Sequence, residues 1–358
     1  MGGVTIPLPR GADPGAPRLA DIAAQAEVSE ATVSRVLNGK VGVATATRHK
    51  VLAALDILGY ERPVRLRRRS AGLVGLVIPE LVNPIFPAFA QVIEQALAGH
   101  GYTPVLCTQT PGGATEDELV EQLEARGVTG IVFLSGLHAD LASDPSRYNR
   151  LAARGVPFVL INGFNESISA PFVSPDDRVA ASIAVRHLVE LGHERIGLAI
   201  GPTRYVPSRR KAEGFTAALH EYLGLPQGEA ERLIQRTLFT VEGGQAAALA
   251  LLDEGVTGIV CASDPMALGA IRAVRQRGLE VPGDVSVVGF DDSPLIAFTD
   301  PPLTTVRQPV RAMATAAVGA LLEAVGGNPV QRTEFVFQPE LVVRASTAQV
   351  PRSGRPGA

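Results

Sequence analysis

The chain has 358 residues, 46% of them hydrophobic and 19% charged, so it is too long for a single ordinary domain and can bury more than one core. It has no apolar run of about 18 residues and no charged leader followed by an apolar stretch, which excludes a transmembrane or secreted protein and predicts a cytoplasmic one. The net charge of −3 hides an asymmetry, because residues 18–69 carry ten basic and five acidic side chains. A basic head on an acidic body is typical of a polyanion-binding module joined to a part that does not bind DNA.

Two short helical patterns follow one another in residues 19–38. Each has apolar side chains at helical spacing, and the first includes two alanines that are small enough to let two helices cross closely. The pair predicts a helix-turn-helix, in which the second helix can lie in the major groove of DNA. The plainer alternative is a pair of packed surface helices in an ordinary α/β protein. Ser29 is a good N-cap for the second helix, whose exposed start also carries Thr32, Ser34 and Arg35.

A third helix is predicted to start at Thr45 and to end at Gly59-Tyr60. Three helices can fold around one small core, so a DNA-binding domain is predicted over residues 18–62. The Arg-rich residues 63–72 are predicted to be a basic hinge. The Gly- and Pro-rich ends, residues 1–17 and 351–358, are predicted to be disordered tails.

The pattern changes at Leu73, where a continuous apolar run is typical of a buried parallel strand. Helix and strand then alternate, which predicts doubly wound parallel sheets with helices on both faces. This length is too great for one compact sheet and predicts two lobes in an effector-binding core over residues 73–350. Lobe 1 is predicted to comprise about 73–161 and 293–325, and lobe 2 about 162–292 and 326–350.

Polar side chains follow the predicted strands of both lobes. Open α/β sheets bind ligands at the carboxyl ends of their strands, so these side chains are expected to line a cleft. Carboxylates and amides beside an aromatic platform such as Phe86 or Phe239 suit the hydroxyls and apolar faces of a sugar. The alternative for each polar residue is a helix N-cap or a turn. The residues in question are Asn83, Ser135, Asn162, Asp264 and Asp291.

These motifs resemble the lactose/galactose repressor (LacI/GalR) family of transcription regulators over nearly the whole chain. The headpiece signature is carried by Ile22-Ala23, Ala26, Val28-Ser29 and the run Thr32-Val33-Ser34-Arg35-Val36-Leu37-Asn38. Later landmarks stand in the family's order: Asn83-Pro84 with Phe86, His187-Leu188, Gly192-His193, Gly214-Phe215, Ser263-Asp264, Pro282–Ser286, Gly289–Asp291 and Leu303–Val306 with Gln308-Pro309. The resemblance implies a helix-turn-helix headpiece and a core with the periplasmic-binding-protein fold, without a cofactor or metal ion.

For DNA, the resemblance implies a homodimer, or a tetramer, whose headpieces each read one half-site of a palindromic operator. Glu30 and Ala31 would meet base edges with Arg35 nearby, because Glu can accept a hydrogen bond from cytosine N4 and Ala can touch a thymine methyl group. Thr32, Ser34 and Asn38 would hold phosphates or support the turn, and Arg48 and Arg65–Arg69 would be phosphate partners. In the hinge, either Leu66 is a minor-groove wedge or Arg65 and Arg67 read the groove instead.

For the effector, the resemblance implies a cleft formed by Asn83, Phe86, Ser135, Asn162, Asp176, Phe239, Asp264 and, above all, Asp291. Three positions depart from the family pattern. The hinge is about three residues short, Lys211 replaces the usual Arg, and Glu27 replaces a turn glycine. Lys211 cannot make the bidentate grip of an arginine. Arg209 or Arg210 would then substitute for it, or the effector contact there is weaker.

The sequence bears on three classes of function. The first is a repressor whose operator affinity is controlled by a small effector, a sugar or sugar derivative, bound between the lobes. The alternative is a stand-alone sugar-binding protein, for which a signal peptide and no basic headpiece are expected. An enzyme is not expected, because the chain has no GxSxG, P-loop or HExxH motif.

Overall fold

The computed structural model describes residues 17–37, 42–60, 71–109, 112–329 and 331–350. The chain divides into two compact units, one up to Arg69 and the other from Ser70 onward. Each unit has its own hydrophobic core, as the change of pattern at Leu73 predicts. Several predictions concern residues outside the described ranges. These residues are the two tails (except Pro17, which is described), the predicted DNA contact Asn38, and the hinge residues Arg65, Leu66 and Arg67.

The first unit contains three helices in the described residues. Their apolar faces meet in one small core in which Ile22, Val33 and Val51 have no exposed surface. Each helix supplies one of these side chains, so none of the three can bury its apolar face without the other two. The helices are α1 (Leu19–Gln25), α2 (Glu30–Leu37) and α3 (Thr45–Ile57).

The second unit contains two six-stranded sheets among the described residues, each with helices on its faces. We call the first sheet with its helices lobe 1 and the second with its helices lobe 2. Lobe 1 contains β1 (Gly72–Ile78), α4 (Ile85–Gly99), β2 (Tyr102–Thr108), α5 (Glu116–Ala125), β3 (Gly130–Leu134), α6 (Ser146–Ala153), β4 (Phe158–Ile161), β5 (Phe172–Pro175), α12 (Val310–Val325) and β11 (Glu334–Phe337).

Lobe 2 has the same plan with one antiparallel strand at its edge. Its strand order is β12-β10-β9-β8-β6-β7, whereas lobe 1 has the all-parallel order β11-β5-β4-β3-β1-β2. The elements of lobe 2 are α7 (Asp177–Glu190), β6 (Ile196–Ile200), α8 (Val206–Leu223), α9 (Gln227–Arg232), β7 (Ile234–Arg236), α10 (Val241–Asp253), β8 (Gly258–Cys261), α11 (Asp264–Gln276), β9 (Ser286–Asp291), β10 (Thr304–Arg307) and β12 (Glu340–Val342).

The continuous apolar strands are buried on both faces. In β4, Val159 and Ile161 pack on the side of α4 and α12, whereas Phe158 and Leu160 pack on the opposite side with Tyr148 of α6. Successive side chains of a strand point to opposite faces, so a strand covered by helices on both sides must be apolar throughout. This is why these segments show no polar alternation in the sequence.

The predicted lobe boundaries are wrong in three places. The chain does not leave lobe 1 at Asn162, because β5 pairs with β4 in the same sheet. Nor does it leave lobe 2 at Ser293, because β10 pairs with β9. The third crossover does not lie near 326–330, because β11 still pairs with β5. The chain instead changes lobe between β5 and α7, between β10 and α12, and between β11 and β12.

The physical reason is strand length. β5, β10, β11 and β12 each have three or four residues and lack a long apolar run, so local periodicity does not reveal them. Of the two cysteines, Cys261 is buried. Cys107 is half-buried, because β2 is an edge strand of its sheet.

Candidate DNA-binding surface and effector cleft

Helix α2 begins at Glu30 because Ser29 caps it. The Ser29 hydroxyl accepts a hydrogen bond from the backbone N–H of Thr32 at 3.2 Å, and the two hydroxyl oxygens lie 3.0 Å apart. This satisfies one of the free N–H groups at the helix start. Ser29 and Thr32 thus have a structural role in addition to any contact with DNA.

The exposed face of α2 carries three of the predicted base-reading residues. Val33 and Val36 turn inward to the core, which leaves Glu30, Ala31 and Arg35 exposed on the opposite side. Two other predicted contacts, Ser34 on α2 and Arg48 on α3, are half-buried and engaged in interactions within the chain. The described headpiece therefore presents an acid, a methyl group and a guanidinium side by side.

The turn between α1 and α2 places Glu27 in a left-handed conformation with φ of +54°. Glycine adopts this region at no steric cost, whereas other residues do not. The turn nevertheless closes, since the N–H of Val28 donates to the carbonyl of Ala23 at 3.0 Å. The Glu27 carboxylate lies 3.2 Å from the ammonium of Lys50 on α3, and both side chains are exposed.

The carboxyl ends of β3 and β4 lie side by side, because the two strands are parallel neighbours in the sheet of lobe 1. Ser135 and Asn162 follow these strands, and both have left-handed backbones, with φ of +48° and +65°. The Asn162 amide donates to the Ser135 hydroxyl at 3.2 Å. The Asn162 Oδ1 is buried and has no hydrogen-bond partner in the described chain, so it has one acceptor position to offer a ligand.

Asp291 lies at the end of β9, where the two lobes meet. Gln308 Nε2 donates to its Oδ1 at 2.6 Å, and the side chain of Asn83 from lobe 1 interacts with it and lowers its pKa. Burial raises the pKa of Asp291 well above its ordinary value, and the neighbouring carboxylate of Asp264 raises it further. Asn83 is itself fixed, because its Oδ1 accepts from the N–H of Ile85 at 3.2 Å.

Asp264 uses both carboxylate oxygens within lobe 2. It accepts from the N–H and hydroxyl of Ser293 at 2.7 and 2.6 Å and from the Thr305 hydroxyl at 2.6 Å. Burial raises the pKa of Asp264 to about 6, although these hydrogen bonds act to lower it. Asp264 thereby ties the loop after β9 to β10, and Ser263 rather than Asp264 caps α11.

Lys211 reaches the interior of lobe 2 from α8. Its ammonium forms an ion pair with Asp177 and lies 3.8 Å from the ring centroid of Phe290. Burial raises the pKa of Asp177, and the Lys211 charge opposes that shift. Sequence reasoning missed Asp177 and chose its neighbour Asp176, whose carboxylate caps α7 by accepting from Val179 N–H at 3.1 Å.

The two predicted aromatic platforms are both half-buried, one in each lobe. Phe86 lies in the first turn of α4, directly after the segment that carries Asn83. Phe239 lies over Gly201, where a side chain would come within 2.0 Å of its ring, and packs 6.4 Å from Tyr205. Gly201 therefore provides the space in which the Phe239 ring sits.

The lobes also touch away from Asp291. Arg204 Nε lies 3.1 Å from the carboxylate of Asp140, and the N–H of Leu141 donates to the carbonyl of Arg204 at 2.8 Å. Sequence reasoning missed these residues and Gln308, because their partners are distant in the sequence. Gln308 is one of the family landmarks in the sequence, and its Oε1 is buried and has no hydrogen-bond partner within the described ranges.

Two kinds of feature are absent from the described residues. None of the helices there is long and apolar enough to cross a membrane. No group of three or more His, Cys, Asp or Glu side chains in those residues has a geometry that would hold a metal ion.

Comparison with known proteins agrees with both units. Residues 18–62 match the model of bacterial regulatory proteins of the lacI family, and residues 185–347 match a periplasmic binding protein-like domain. The chain is 75% identical over 346 residues to an HTH-type transcriptional regulator in the aml 5′ region of Streptomyces limosus, covering 97% of this chain and 99% of that one.

Solved structures show the same architecture. The complex of the transcriptional regulator CelR with cellobiose is 32% identical, with a TM-score of 0.69 over 92% of this chain and 99% of that chain. The lac repressor dimer bound to operator and the anti-inducer ONPF is 28% identical, with a TM-score of 0.64 over 93% and 99%. These relatives are regulators and not enzymes, and the headpiece match excludes a stand-alone sugar-binding protein. The chain therefore belongs to the LacI family and is a DNA-binding transcriptional regulator.

Proposed function

We propose that this regulator is a repressor whose operator affinity is controlled by a small effector bound between the two lobes. The observation that carries the proposal is the position of Asp291, which accepts a hydrogen bond from Gln308 at a crossover between the lobes and interacts with Asn83 of lobe 1. A ligand that replaces these partners changes the contact between the lobes. Its differential affinity for two lobe arrangements shifts their populations, which is the requirement for control.

The proposed effector is a neutral sugar. Its hydroxyls would bond to Asp291, to the free Oδ1 of Asn162 and to Ser135, and its apolar faces would pack on Phe86 and Phe239. A phosphorylated or acidic sugar fits poorly, because the buried cation Lys211 is already paired with Asp177. CelR, a relative of the same fold, is known as a complex with cellobiose. The lobe 2 side of the effector site would be held in place, without direct contact to the sugar, by Asp176, Lys211 and Asp264.

On the DNA side, Glu30, Ala31 and Arg35 are the proposed base-reading residues. Glu30 can accept from cytosine N4, Ala31 can touch a thymine methyl group, and Arg35 can donate two hydrogen bonds to guanine. Residues that hold phosphates give affinity without sequence preference. We assign this role to Ser29, Thr32, Ser34, Asn38, Arg48, Arg65 and Arg67, with Leu66 as the minor-groove wedge.

The proposed DNA-binding form is a homodimer on a palindromic operator in the cytoplasm. Two recognition helices related by a twofold axis read half-sites about 34 Å apart. The lac repressor is seen as a dimer on its operator, and it shares the fold of this chain. A tetramer would bind two such operators.

Selection of bound DNA from random sequence tests this function. The full chain is expected to enrich an inverted repeat, and a panel of neutral mono- and disaccharides is then added to the selected complex. One sugar is expected to release the DNA, which identifies an inducer. A sugar that tightens the complex would instead make the protein corepressor-controlled. No enrichment of a palindrome would reject the operator proposal, and no response to any sugar would reject the effector class.

A further inference from the structure

Glu116 is the first residue of α5, and its side chain is completely buried in lobe 1. Its Oε2 accepts from the N–H of Leu137 at 2.9 Å and from Gln109 Nε2 at 2.7 Å. Its Oε1 accepts from the hydroxyl of Tyr148. Both carboxylate oxygens are therefore used by groups from three other segments of the lobe.

The Tyr148 hydroxyl extends this network. It accepts a hydrogen bond from the backbone N–H of His138 at 2.8 Å while it donates to Glu116. The His138 Nε2 lies 3.1 Å from the carbonyl of Ile161, the residue before Asn162, and since a carbonyl only accepts, Nε2 carries the proton. Burial lowers the pKa of His138 to about 4, so the ring is neutral near pH 7.

The network fixes residues 135–141 against the carboxylate. Gly136 lies so close that a side chain there would come within 2.6 Å of Glu116 Oε2. One end of the segment carries Ser135, in the proposed effector wall, and the other carries Asp140, which pairs with Arg204 of lobe 2. Glu116 thus touches neither the effector wall nor lobe 2, but holds the segment that touches both.

A buried carboxylate is costly, and folding alone does not demand one at the start of a helix. Thr115 and Glu118 already form a capping box for α5. Arg147 gives partial compensation, with an N···O distance of 3.6 Å to Glu116, but its stronger partner is Asp117 at 2.7 Å. The carboxylate is therefore best explained by the geometry that it imposes on residues 135–141.

We propose that Glu116 is a positioning residue for the effector cleft: its carboxylate holds Ser135 and Asn162 in the left-handed conformations that present their polar groups to the ligand. The role in effector discrimination rests on the proposed function. The conformational role does not, because it concerns the backbone of residues 135–141 in the free protein. Sugar affinity tests the first role, and backbone hydrogen exchange tests the second.

The test uses the full chain with Glu116→Ala, Glu116→Gln and Tyr148→Phe, and with Glu118→Ala as the matched control on the same helix. Backbone hydrogen exchange in residues 135–141 and 160–163 is expected to rise in Glu116→Ala and not in Glu118→Ala. Dissociation constants for cellobiose and maltose are expected to rise about tenfold in Glu116→Ala, with the ratio between the two sugars changed. Glu116→Gln keeps the oxygen that faces Leu137 and is expected to stay within about threefold of the parent.

Unchanged exchange in Glu116→Ala would overturn the proposal, and so would raised exchange with unchanged sugar affinity. If the parent chain binds neither these two sugars nor any other sugar of the panel, the effector class is wrong, and hydrogen exchange alone decides whether Glu116 positions the segment. If Glu118→Ala shows the same changes as Glu116→Ala, the effect is a general loss of helix stability and the proposal fails.

Discussion

Arg210 of α8 in lobe 2 grips Glu334 of β11 in lobe 1 through two N–H···O hydrogen bonds of 2.6 and 2.8 Å. Both side chains are largely buried, with exposed fractions of 14% and 13%. The pair spans the side of the molecule on which the chain crosses between the lobes. Arg210 is thereby committed to a contact between the lobes, so it does not substitute for the arginine that Lys211 replaces.

Glu334→Ala is expected to lower the free energy of unfolding by about 3 kcal/mol, because it leaves a largely buried guanidinium unpaired. Denaturant unfolding of the full chain measures this change. Arg209→Ala is the matched control. Arg209 is half-exposed and 3.7 Å from Glu213, so its removal is expected to cost less than about 1 kcal/mol. Equal losses in the two variants would contradict the special role of the Arg210–Glu334 pair.

Arg204→Ala is expected to raise the dissociation constant of the effector about threefold with little change in the free energy of unfolding. Arg204 of lobe 2 pairs with Asp140 of lobe 1, and its guanidinium lies 5.0 Å from the Tyr205 ring centroid. An ion pair this exposed contributes about 1 kcal/mol or less to stability and is weakened by salt. Titration with the sugar found in the panel measures the effect at low and high salt. Arg236→Ala, which breaks an exposed pair within lobe 2, should leave the affinity unchanged.

Asp291→Asn is expected to abolish the effector response while leaving operator binding intact. The lost charge-assisted hydrogen bonds correspond to at least about a tenfold loss of effector affinity. Operator release is measured with increasing sugar. A normal response in this variant would remove Asp291 from the effector site, and Asp300→Asn, at a fully exposed position, serves as the control.

The same variant is expected to be more stable than the parent at neutral pH. Because the folded-state pKa of Asp291 is raised, its contribution to stability is complete below the unfolded pKa and is lost as the pH rises through the folded pKa. The gain in Tm on replacing the acid by Asn should thus be larger at pH 8 than at pH 5. A gain in Tm that is equal at both pH values would show that burial does not raise the pKa of Asp291 in the folded protein.

Glu27→Gly is expected to stabilise the headpiece by about 0.5 kcal/mol. Relief of the left-handed backbone is worth about 1 kcal/mol or more, and it outweighs both the entropy of glycine and the exposed ion pair with Lys50. Hydrogen exchange of the α1 and α2 amides in the full chain measures the change. Glu27→Gln separates the two effects, because it removes the charge but keeps the strained backbone, and it should be slightly destabilising.

Glu30→Ala and Arg35→Ala are expected to change operator preference without unfolding the core. Loss of one base contact costs about 1–3 kcal/mol and relaxes specificity at the corresponding base pair. Selection from random DNA is repeated with each variant, and the unfolding of lobes 1 and 2 is monitored in parallel. An unchanged sequence preference in both variants would reject α2 as the reading helix.

The helix-turn-helix and the family were predictable from sequence because their signals are local. The cap at Ser29, the apolar spacing of Val33 and Val36, and the polar residues that end each long strand all depend on neighbours a few positions away. The residues that complete the cleft were not predictable in this way. Asp177 lies beside a helix cap, and no local sequence pattern marks it. Its importance depends on the contact with Lys211, which is 34 residues later in the chain.

The sequence by itself determined that a basic three-helix head precedes two lobes of alternating strands and helices, and that polar groups end those strands. Only the tertiary structure decided which sheet each short strand joins and which polar groups meet. Asp264 holds a loop, Gln308 bonds to Asp291, and Glu116, which belongs to no motif, bonds to the segment that follows Ser135. The reason is that strand pairing and buried hydrogen bonds join residues far apart in the sequence, 124 positions in the case of Arg210 and Glu334, whereas helix periodicity and capping act within one or two turns.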